Sequence, residues 1–303
     1  MKTAAIVNPS SGGGRAGRDW ASIAMGLGPD VETRFTKARD DATAIARELL
    51  LAGFDRVIAV GGDGTVNEVV NGFLDADRPL RPGAELALVP IGTGGDFRRS
   101  LGLEGVDDAV ALIASGALGI STDAGRADFI DHRGAQSTRY FANLVSFGMG
   151  GEVAARAKNF FQAFGGKAAF LYSTIEVALA YRAKTVRLAV DGEDAGEHSI
   201  LNIAIGNGRF HGGGMHVCPR AILDDGALDV TVIGALSLVE LVRDMPVLYS
   251  ADIYRHPKTR QFRGRIVQAE SPETVSIEVD GEPLGKLPLT LTALPGVLRI
   301  LRR

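Results

Sequence analysis

The feature that most constrains this fold is a strand, a glycine turn and a helix that follow one another within residues 57–73. Residues 57–60 form a short β-branched apolar run, which is typical of a buried strand. The run ends in Gly61-Gly62-Asp63-Gly64-Thr65, after which apolar residues recur at helical spacing. Glycines let backbone N–H groups approach an anion, and a helix N-terminus adds oriented donors. The stretch predicts a phosphate-binding turn, although a tight turn in which Asp63 caps the helix fits the same residues.

The same pattern recurs at two further strand ends. Residues 3–7 run into Asn8-Pro9-Ser10-Ser11-Gly12-Gly13-Gly14, and residues 85–89 run into Pro90-Ile91-Gly92-Thr93-Gly94-Gly95-Asp96. Strands that alternate with helices predict a doubly wound parallel sheet, in which the loops at the carboxyl ends of the strands converge. Three converging glycine loops favour a nucleotide-phosphate site. Neither the Gly-x-Gly-x-x-Gly pattern after the first strand nor a Gly-x-x-x-x-Gly-Lys-Ser/Thr P-loop is present in the sequence.

Further elements of this first half follow from the same signals. The pattern predicts a strand over 31–36, then a helix that Asp40 or Asp41 caps and Gly53 closes. A second helical pattern covers residues 106–113.

From about residue 120 the chain changes to short strands separated by turns, typical of an antiparallel sandwich or barrel. The expected strands are 122–131, 138–147, 185–191, 199–205, 228–233, 262–269, 274–280 and 288–292, with helical segments near 152–182 and 237–245. The sequence therefore predicts an α/β domain over 1–119 and a β-sandwich domain over 120–293. Residues 294–303, with a strand at 297–301, would return to the first domain.

Composition narrows the classes of function. The net charge of −3 and a pI near 6.0 give no basic footprint for nucleic acid. Cys218 is the only cysteine, which excludes an internal disulfide and a cysteine-built zinc site. No stretch reaches the roughly 18–20 apolar residues of a membrane span, and the N-terminus reads as a strand rather than a secretory signal. We therefore expect a cytoplasmic protein that does not bind nucleic acid.

Two acidic turns and one basic stretch stand out in the second half. Asp224-Asp225-Gly226 is typical of an Asx turn, with a hard-cation site of oxygen ligands as the alternative. Asp280-Gly281-Glu282-Pro283 predicts a hairpin turn. Residues 156–170 interleave phenylalanines with lysines, which suits an anionic bilayer surface, although a core helix with solvated lysines is the simpler interpretation.

Four motifs taken in order resemble the diacylglycerol kinase catalytic-domain family, in its bacterial lipid-kinase branch. They are Asn8-Pro9-x-x-Gly12, Gly61-Gly-Asp-Gly-Thr-x-Asn-Glu68, Pro90-x-Gly-Thr-x-x-Asp-Phe97 and Asp280-Gly-Glu282. The resemblance implies an N-terminal domain like those of phosphofructokinase and NAD kinase, followed by a C-terminal β-sandwich. It also implies transfer of the γ-phosphate of ATP, with Mg²⁺, to a hydroxyl of diacylglycerol or a related lipid. The enzyme would contact the inner membrane face peripherally, and exposed sandwich edges would permit a homodimer.

The resemblance also assigns roles to residues. Those that would line the nucleotide and cradle its phosphates are Asn8, Thr36, Gly61, Gly62, Asp63, Gly64, Thr65, Asn67 and Thr93. Asp63 and Asp96 would organise metal and water at the phosphates, and Glu282 would be the general base. Asp225, with the carbonyls of Ile222 and Ala227, would hold a structural Mg²⁺. In one departure, Gly95 stands where the family's Gly-Thr-x-Asn-Asp motif has asparagine.

Three alternatives stay open at this point. A sphingoid-base or ceramide kinase would use the same loops. An NAD kinase shares Gly-Gly-Asp-Gly-Thr, although the Asn-Pro-x-x-Gly and Gly-Thr-x-x-Asp-Phe elements argue against it. A nucleotide-binding regulator without turnover is the third, and the joint presence of Asp63, Asp96 and Glu282 argues against it.

Overall fold

The computed structural model describes residues 1–92, 95–153 and 181–303. The chain divides into two compact units: residues 1–124 with 294–303 form unit 1, and residues 125–293 form unit 2. The division lies at 124/125, whereas the sequence placed it at 119/120, because the first residues of strand Ile120–Asp131 belong to unit 1. None of the helices in the described ranges is both long enough and apolar enough to cross a bilayer.

Unit 1 is a parallel sheet with helices, as the sequence predicts. Its strands are β1 (Thr3–Val7), β2 (Glu32–Phe35), β3 (Arg56–Gly61) and β6 (Glu85–Pro90), plus a short hairpin of β4 (Leu74–Asp75) and β5 (Arg78–Pro79). Its helices are α1 (Ser11–Leu27), α2 (Asp41–Leu51), α3 (Asp63–Phe73), α4 (Asp96–Ser100) and α5 (Val106–Ala114). The parallel order is β6-β3-β1-β2. Ile300 pairs with Leu86 beside β6, so the C-terminal residues do return to this sheet.

The core of unit 1 explains the unbroken apolar run at its centre. Strand β3 has neighbours on both edges, and all four residues of 57–60 are fully buried. Such continuous apolar strands are typical of parallel sheets covered on both faces. Trp20 and Ile23 of α1 and Ile113 of α5 pack on one face of the sheet.

Helix α2 begins differently from the sequence prediction. The N-cap residue is Asp40, and its side chain makes no cap hydrogen bond. The carboxylate of Asp41 accepts instead from the backbone N–H groups of Lys37 and Ala38. Glu68 of α3 accepts from the N–H of Ala42, so a neighbouring helix satisfies the start of α2. Local sequence patterns do not contain this long-range contact.

Unit 2 is built from paired antiparallel strands, of which β7 begins and β16 ends with residues of unit 1. They are β7 (Ile120–Asp131), β8 (Gln136–Phe141), β9 (Leu144–Gly148), β10 (Lys184–Val190), β11 (Glu193–Gly206), β12 (Leu228–Gly234), β13 (Thr259–Gly264), β14 (Ile266–Glu270), β15 (Ser276–Val279) and β16 (Glu282–Ile300). Strand β11 pairs with β10 along its first half and with β9 and β12 along its second. The enclosed core contains Phe141, Phe147 and Ile203, all fully buried. The helix α6 (Leu238–Leu248) begins at a capping box of Ser237 and Glu240.

Two predicted strands are each divided in two. The predicted strand 138–147 is broken between β8 and β9, where the carboxylate of Asp280 accepts backbone N–H groups. The predicted strand 262–269 is broken between β13 and β14, where Asp191 does the same. In the opposite sense, 288–292 and 297–301 belong to one strand, β16. The predicted helix 152–182 lies almost wholly outside the described residues.

Candidate functional site

The first glycine loop of unit 1 follows β1 and turns through left-handed backbone. Gly12, Gly13 and Gly14 have φ values of 62°, 67° and 84°, so regular helix begins only after them. Asn8 stands at the strand end, and its Oδ1 accepts from the N–H of Ser10 at 3.1 Å. Its Nδ2 donates to Thr65 Oγ1 at 3.1 Å. Asn8 therefore joins the first loop to the second.

The second loop is closely packed against its neighbours. A Cβ on Gly61 would lie 2.5 Å from Thr65 Oγ1 and 3.0 Å from Ser11 Oγ. A Cβ on Gly92 would lie 2.9 Å from the Cα of Gly62, so the second and third loops touch through backbone. Helix α3 begins directly at Asp63 and points its first turn at this junction. The arrangement has the features of an anion site, since glycine backbone without side chains and a helix N-terminus meet there.

Asp63 connects two loops and does not cap its own helix. Its Oδ2 accepts from the N–H groups of Gly95 at 3.0 Å and Asp96 at 3.3 Å, and its Oδ1 accepts from Phe97 at 3.3 Å. The residue before it, Gly62, is the N-cap and is extended. The capping alternative is therefore wrong, and Asp63 fixes the third loop against the second.

The third loop contains the residue that departs from the family motif. Gly95 has a left-handed φ of 62°, and a Cβ there would lie 2.7 Å from Arg98 Nε. An asparagine adopts this backbone more readily than most residues, but here its Cβ would displace the arginine. Arg98 donates to the carbonyls of Leu103 and Glu104 at 2.9 and 2.6 Å. Gly95 therefore makes room for Arg98.

The remaining predicted nucleotide residues of unit 1 differ in their surroundings. Thr36 is nearly buried, and its N–H donates to the carbonyl of Val7 at 2.9 Å. Asn67 is buried in α3. Asp96 is also buried and lies 3.1 Å from Arg99. Thr93 lies outside the described residues.

A cleft in unit 1 is lined by the second and third loops. Its lining residues are Gly61, Gly62, Asp63, Val66, Leu88, Pro90, Gly92, Gly95 and Arg98. Arg15 contacts Asp19, and Arg18 donates to the carbonyl of Gly13. Four glycines and Arg98 are thus among the residues that line the cleft.

Glu282 belongs to unit 2 and starts strand β16 after a tight turn. It pairs with Val279 across Asp280 and Gly281, which confirms the predicted hairpin. The turn residues have φ values of 48° and 83°, as a type I′ turn requires. Glu282 is half-buried at the start of the strand.

The residues around Asp225 do not fit a metal site. Asp225 Oδ1 accepts from the N–H of Ala227 at 3.1 Å, which is the Asx turn. Its Oδ2 is paired with the guanidinium of Arg263, so a Mg²⁺ would have to displace a cation. Ile222 is exposed. The described residues contain no group of three or more His, Cys, Asp and Glu side chains that could hold a metal.

Two family profiles match this chain. The profile of the diacylglycerol kinase catalytic domain matches residues 2–126. The profile of the YegS C-terminal NAD kinase beta sandwich-like domain matches residues 143–302. The chain belongs to the diacylglycerol kinase catalytic-domain family. Membership makes it a phosphotransferase of the lipid-kinase type and implies that it uses ATP.

Relatives and solved structures agree with this family. A protein of Pseudomonas fluorescens described as "Probable lipid kinase YegS-like" is 33% identical over 278 residues, covering 90% of this chain and 86% of the relative. A diacylglycerol kinase of Staphylococcus saprophyticus is 30% identical and covers 93% of this chain and 89% of its own. In fold, the chain resembles a diacylglycerol kinase from Bacillus anthracis, with a TM-score of 0.71, 22% identity and coverage of 100% and 97%. It also resembles yeast NADH kinase, with a TM-score of 0.54, 11% identity and coverage of 99% and 82%.

Sequence reasoning missed two residues that lie at the glycine loops of unit 1. Ser11 lies beside Gly61 at the loop junction, and Arg98 lines the cleft. The sequence around each residue gave only a weak signal of a functional role. A serine in a glycine loop and an arginine after an aspartate are both common. The sequence Val-Asp-Gly-Glu also occurs twice, at 190–193 and 279–282, which a search for repeated tetrapeptides would have found.

Proposed function

We propose that this protein transfers the γ-phosphate of ATP to a hydroxyl of diacylglycerol or a related lipid. The observation on which the proposal chiefly rests is the joint of three glycine loops in unit 1, in which Asn8 joins the first loop to the second and the carboxylate of Asp63 fixes the third against the second. Backbone donors held in this way suit phosphate groups. Family membership supports the same reaction.

In the proposed reaction the loops hold ATP, which enters as its Mg²⁺ complex. The lipid hydroxyl oxygen attacks the γ-phosphorus, the bond to the bridging oxygen of ADP breaks, and ADP leaves. Glu282 accepts the proton of the attacking hydroxyl. Such transfer depends mainly on positioning and neutralisation of charge, so a rigid backbone cradle contributes more than any single side chain.

Asp63 and Asp96 have a narrower proposed role. Asp63 already accepts three N–H groups, and Asp96 lies against Arg99. We assign to Asp63 the positioning of the third loop, and to both carboxylates the ordering of water and Mg²⁺ at the phosphates of ATP. No step is assigned to a metal at Asp225, where Arg263 supplies the positive charge.

A lipid substrate requires contact with a membrane surface. We propose peripheral contact at the cytoplasmic face, where a diacyl lipid is reached from the aqueous side. Residues 156–170 suit such a surface by sequence, although a core helix is the simpler interpretation. They lie outside the described residues.

The test is transfer of radiolabelled γ-phosphate from Mg²⁺-ATP to lipids in mixed micelles. The panel contains diacylglycerol, monoacylglycerol, sphingosine, ceramide and phosphatidylglycerol, with NAD assayed in parallel. Label in diacylglycerol or monoacylglycerol supports the proposal, and label in sphingosine or ceramide moves the protein to the sphingoid branch. Label in NAD alone, or ATP binding without any transfer, contradicts it.

A further inference from the structure

Unit 2 contains two turns with the same sequence and backbone. The tetrapeptide Val-Asp-Gly-Glu occurs at 190–193 and at 279–282. In each copy the valine and the glutamate pair across a two-residue hairpin turn. The aspartate and glycine have φ values of 52° and 85° in the first turn and 48° and 83° in the second. The two turns therefore differ chiefly in what surrounds them.

The first turn is exposed. Asp191 Oδ1 accepts from the N–H groups of Arg265 and Ile266, both at 2.8 Å, where β14 begins. Asp191 and Glu193 are both exposed to solvent. This turn joins strands β10 and β11. The hydrogen bonds observed in the described residues connect it to no buried polar group.

The second turn is anchored inside the protein. Asp280 is only 7% exposed. Its Oδ1 accepts from the N–H groups of Asn143 at 3.1 Å and Leu144 at 2.9 Å, and its Oδ2 accepts from Ala142 at 3.1 Å. A buried carboxylate that accepts three backbone N–H groups is strongly held, because each bond is charge-assisted.

The segment that Asp280 binds is fixed from its other side as well. The carbonyl of Asn143 accepts from the N–H groups of Asn207 at 2.9 Å and Gly208 at 2.7 Å. Asn207 Nδ2 donates to the carbonyl of Ala142 at 2.9 Å. Asn143 Nδ2 donates to the carbonyl of Phe210 at 3.0 Å. Asp280 is thus tied to a rigid network and not to a free loop.

A second buried carboxylate fixes the strand that leads into the turn. Glu278, two residues before Asp280, is 2% exposed. Its Oε1 accepts from Ser146 Oγ at 2.6 Å and lies 2.7 Å from His211 Nε2. Glu278 lies in β15, and Asp280 is the first residue of the turn that follows this strand. The chain is therefore held at 278 and 280, immediately before Glu282.

We propose that Asp280 is a positioning residue for Glu282, the general base of the proposed phosphate transfer. This inference rests on the proposed function. Asp280 fixes the turn from which Glu282 projects, and so sets the direction of the Glu282 carboxylate. A misplacement of about 1 Å in such a group lowers the rate by about a hundredfold. The matching turn at Asp191 positions no residue of the proposed reaction.

The test compares Asp280→Asn with Asp191→Asn in lipid phosphorylation. The carboxylate of Asp280 accepts hydrogen bonds from three backbone N–H groups. Asparagine places an NH₂ group against at least one of these N–H groups, which loses its acceptor, and the buried turn loosens. We expect Asp280→Asn to lower kcat by about 10- to 100-fold while the KM for ATP stays within about twofold. Asp191→Asn should leave both constants within about twofold. If thermal unfolding shows that the Asp280→Asn variant does not fold, the Asp280→Ser variant, which keeps one acceptor oxygen, is measured in its place.

A double variant separates positioning from general loss of structure. If Asp280 acts through Glu282, then adding Asp280→Asn to Glu282→Gln should lower kcat no further than Glu282→Gln alone. Losses of kcat that multiply in the double variant would overturn this inference. Equal losses of kcat in the Asp280 and Asp191 variants would overturn it as well. A Glu282→Gln variant with full activity, or a protein that phosphorylates no lipid, overturns the proposed function instead.

Discussion

At the scale of single residues, Glu282 and Glu193 offer a direct test of the general base. Both are the glutamate of a Val-Asp-Gly-Glu turn. We expect Glu282→Gln to lower kcat by about 10²- to 10⁴-fold, the usual contribution of general base catalysis, with the dissociation constant of ATP unchanged. Glu193→Gln should retain the wild-type kcat. Steady-state kinetics and ATP titration measure both, and a comparable loss of ATP binding in Glu282→Gln would remove the assigned role.

Cys218 supplies a residue-scale test of the unit 2 interior. Complete burial raises the pKa of its thiol to about 12. The native protein should therefore resist a thiol reagent at pH 8, whereas the unfolded chain should take up one equivalent. Because the folded pKa is raised, the stabilisation linked to this group is present below its ordinary pKa and is lost as the pH rises toward 12. Rapid labelling of the native protein would contradict the burial.

Single residues were the least predictable level from sequence. The sequence pointed to Asp63 and Glu282, because glycine turns and the Asp-Gly-Glu hairpin have local signatures. It did not show that Asp63 accepts the N–H groups of residues 95–97, or that Asp280 accepts those of residues 142–144. Contacts between residues far apart in the chain leave no pattern in either neighbourhood.

At the scale of elements, the joint between the glycine loops depends on Asp63. We expect Asp63→Asn to raise the KM for ATP by about fivefold or more and to lower stability by about 1–3 kcal/mol, because an amide satisfies fewer of the three buried N–H donors. Enzyme kinetics with urea unfolding measures both effects. The control is Asp41→Asn, since Asp41 also accepts two backbone N–H groups but lies on the surface. If the KM for ATP is unchanged in Asp63→Asn, the third loop keeps its position without this carboxylate.

The start of strands β3 and β6 is fixed by a buried ion pair. Arg56 donates to Glu85 at 2.5 and 3.0 Å, and both side chains are almost fully buried. Arg56 also donates to the carbonyl of Ala117, and Glu85 accepts from the N–H of Gly119. Replacing Arg56 alone by Met should destabilise unit 1 by about 3–5 kcal/mol, because it leaves a buried carboxylate without its partner.

The matching double variant tests the cause of that loss. Arg56→Met with Glu85→Leu removes both charges and should recover most of the stability. Urea unfolding of the wild type, the single variant and the double variant provides the comparison. A double variant that is no more stable than the single one would show that the bonds to Ala117 and Gly119 matter more than the charge of the pair.

Elements were more predictable than contacts, and the exceptions have physical causes. The β3 run and the helix at 106–113 were found because their apolar periodicity is long. The divided strands at 142–143 and 265 were missed, because an aspartate from another turn takes the ladder N–H groups there. Glycine and proline mark most strand ends, but the break at 142–143 contains neither, and only Gly264 precedes the break at 265.

At the scale of the whole molecule, the sequence predicted the arrangement of the fold. The alternation of strands and helices, then of strands alone, indicates the α/β and β-sandwich architecture that both family profiles match. The metal site was an alternative to the Asx turn by sequence and was implied by the resemblance, and the pairing of Asp225 with Arg263 gives that carboxylate a different partner. Resemblance transfers a fold over most of a chain more safely than it transfers one ligand set.

This difference leads to a prediction for the response of the protein to Mg²⁺. If Arg263 satisfies Asp225 and the metal enters only with ATP, then Mg²⁺ alone should leave the Tm unchanged. Mg²⁺-ATP at about 100 times its Kd should stabilise the protein by about 2.7 kcal/mol through ligand binding. Asp225→Ala should lower the Tm in all conditions alike, because it removes an Asx turn and an ion pair, and should keep the shift produced by Mg²⁺-ATP. A Tm that rises with Mg²⁺ alone, and no longer does so in Asp225→Ala, would instead establish a structural metal site at this turn.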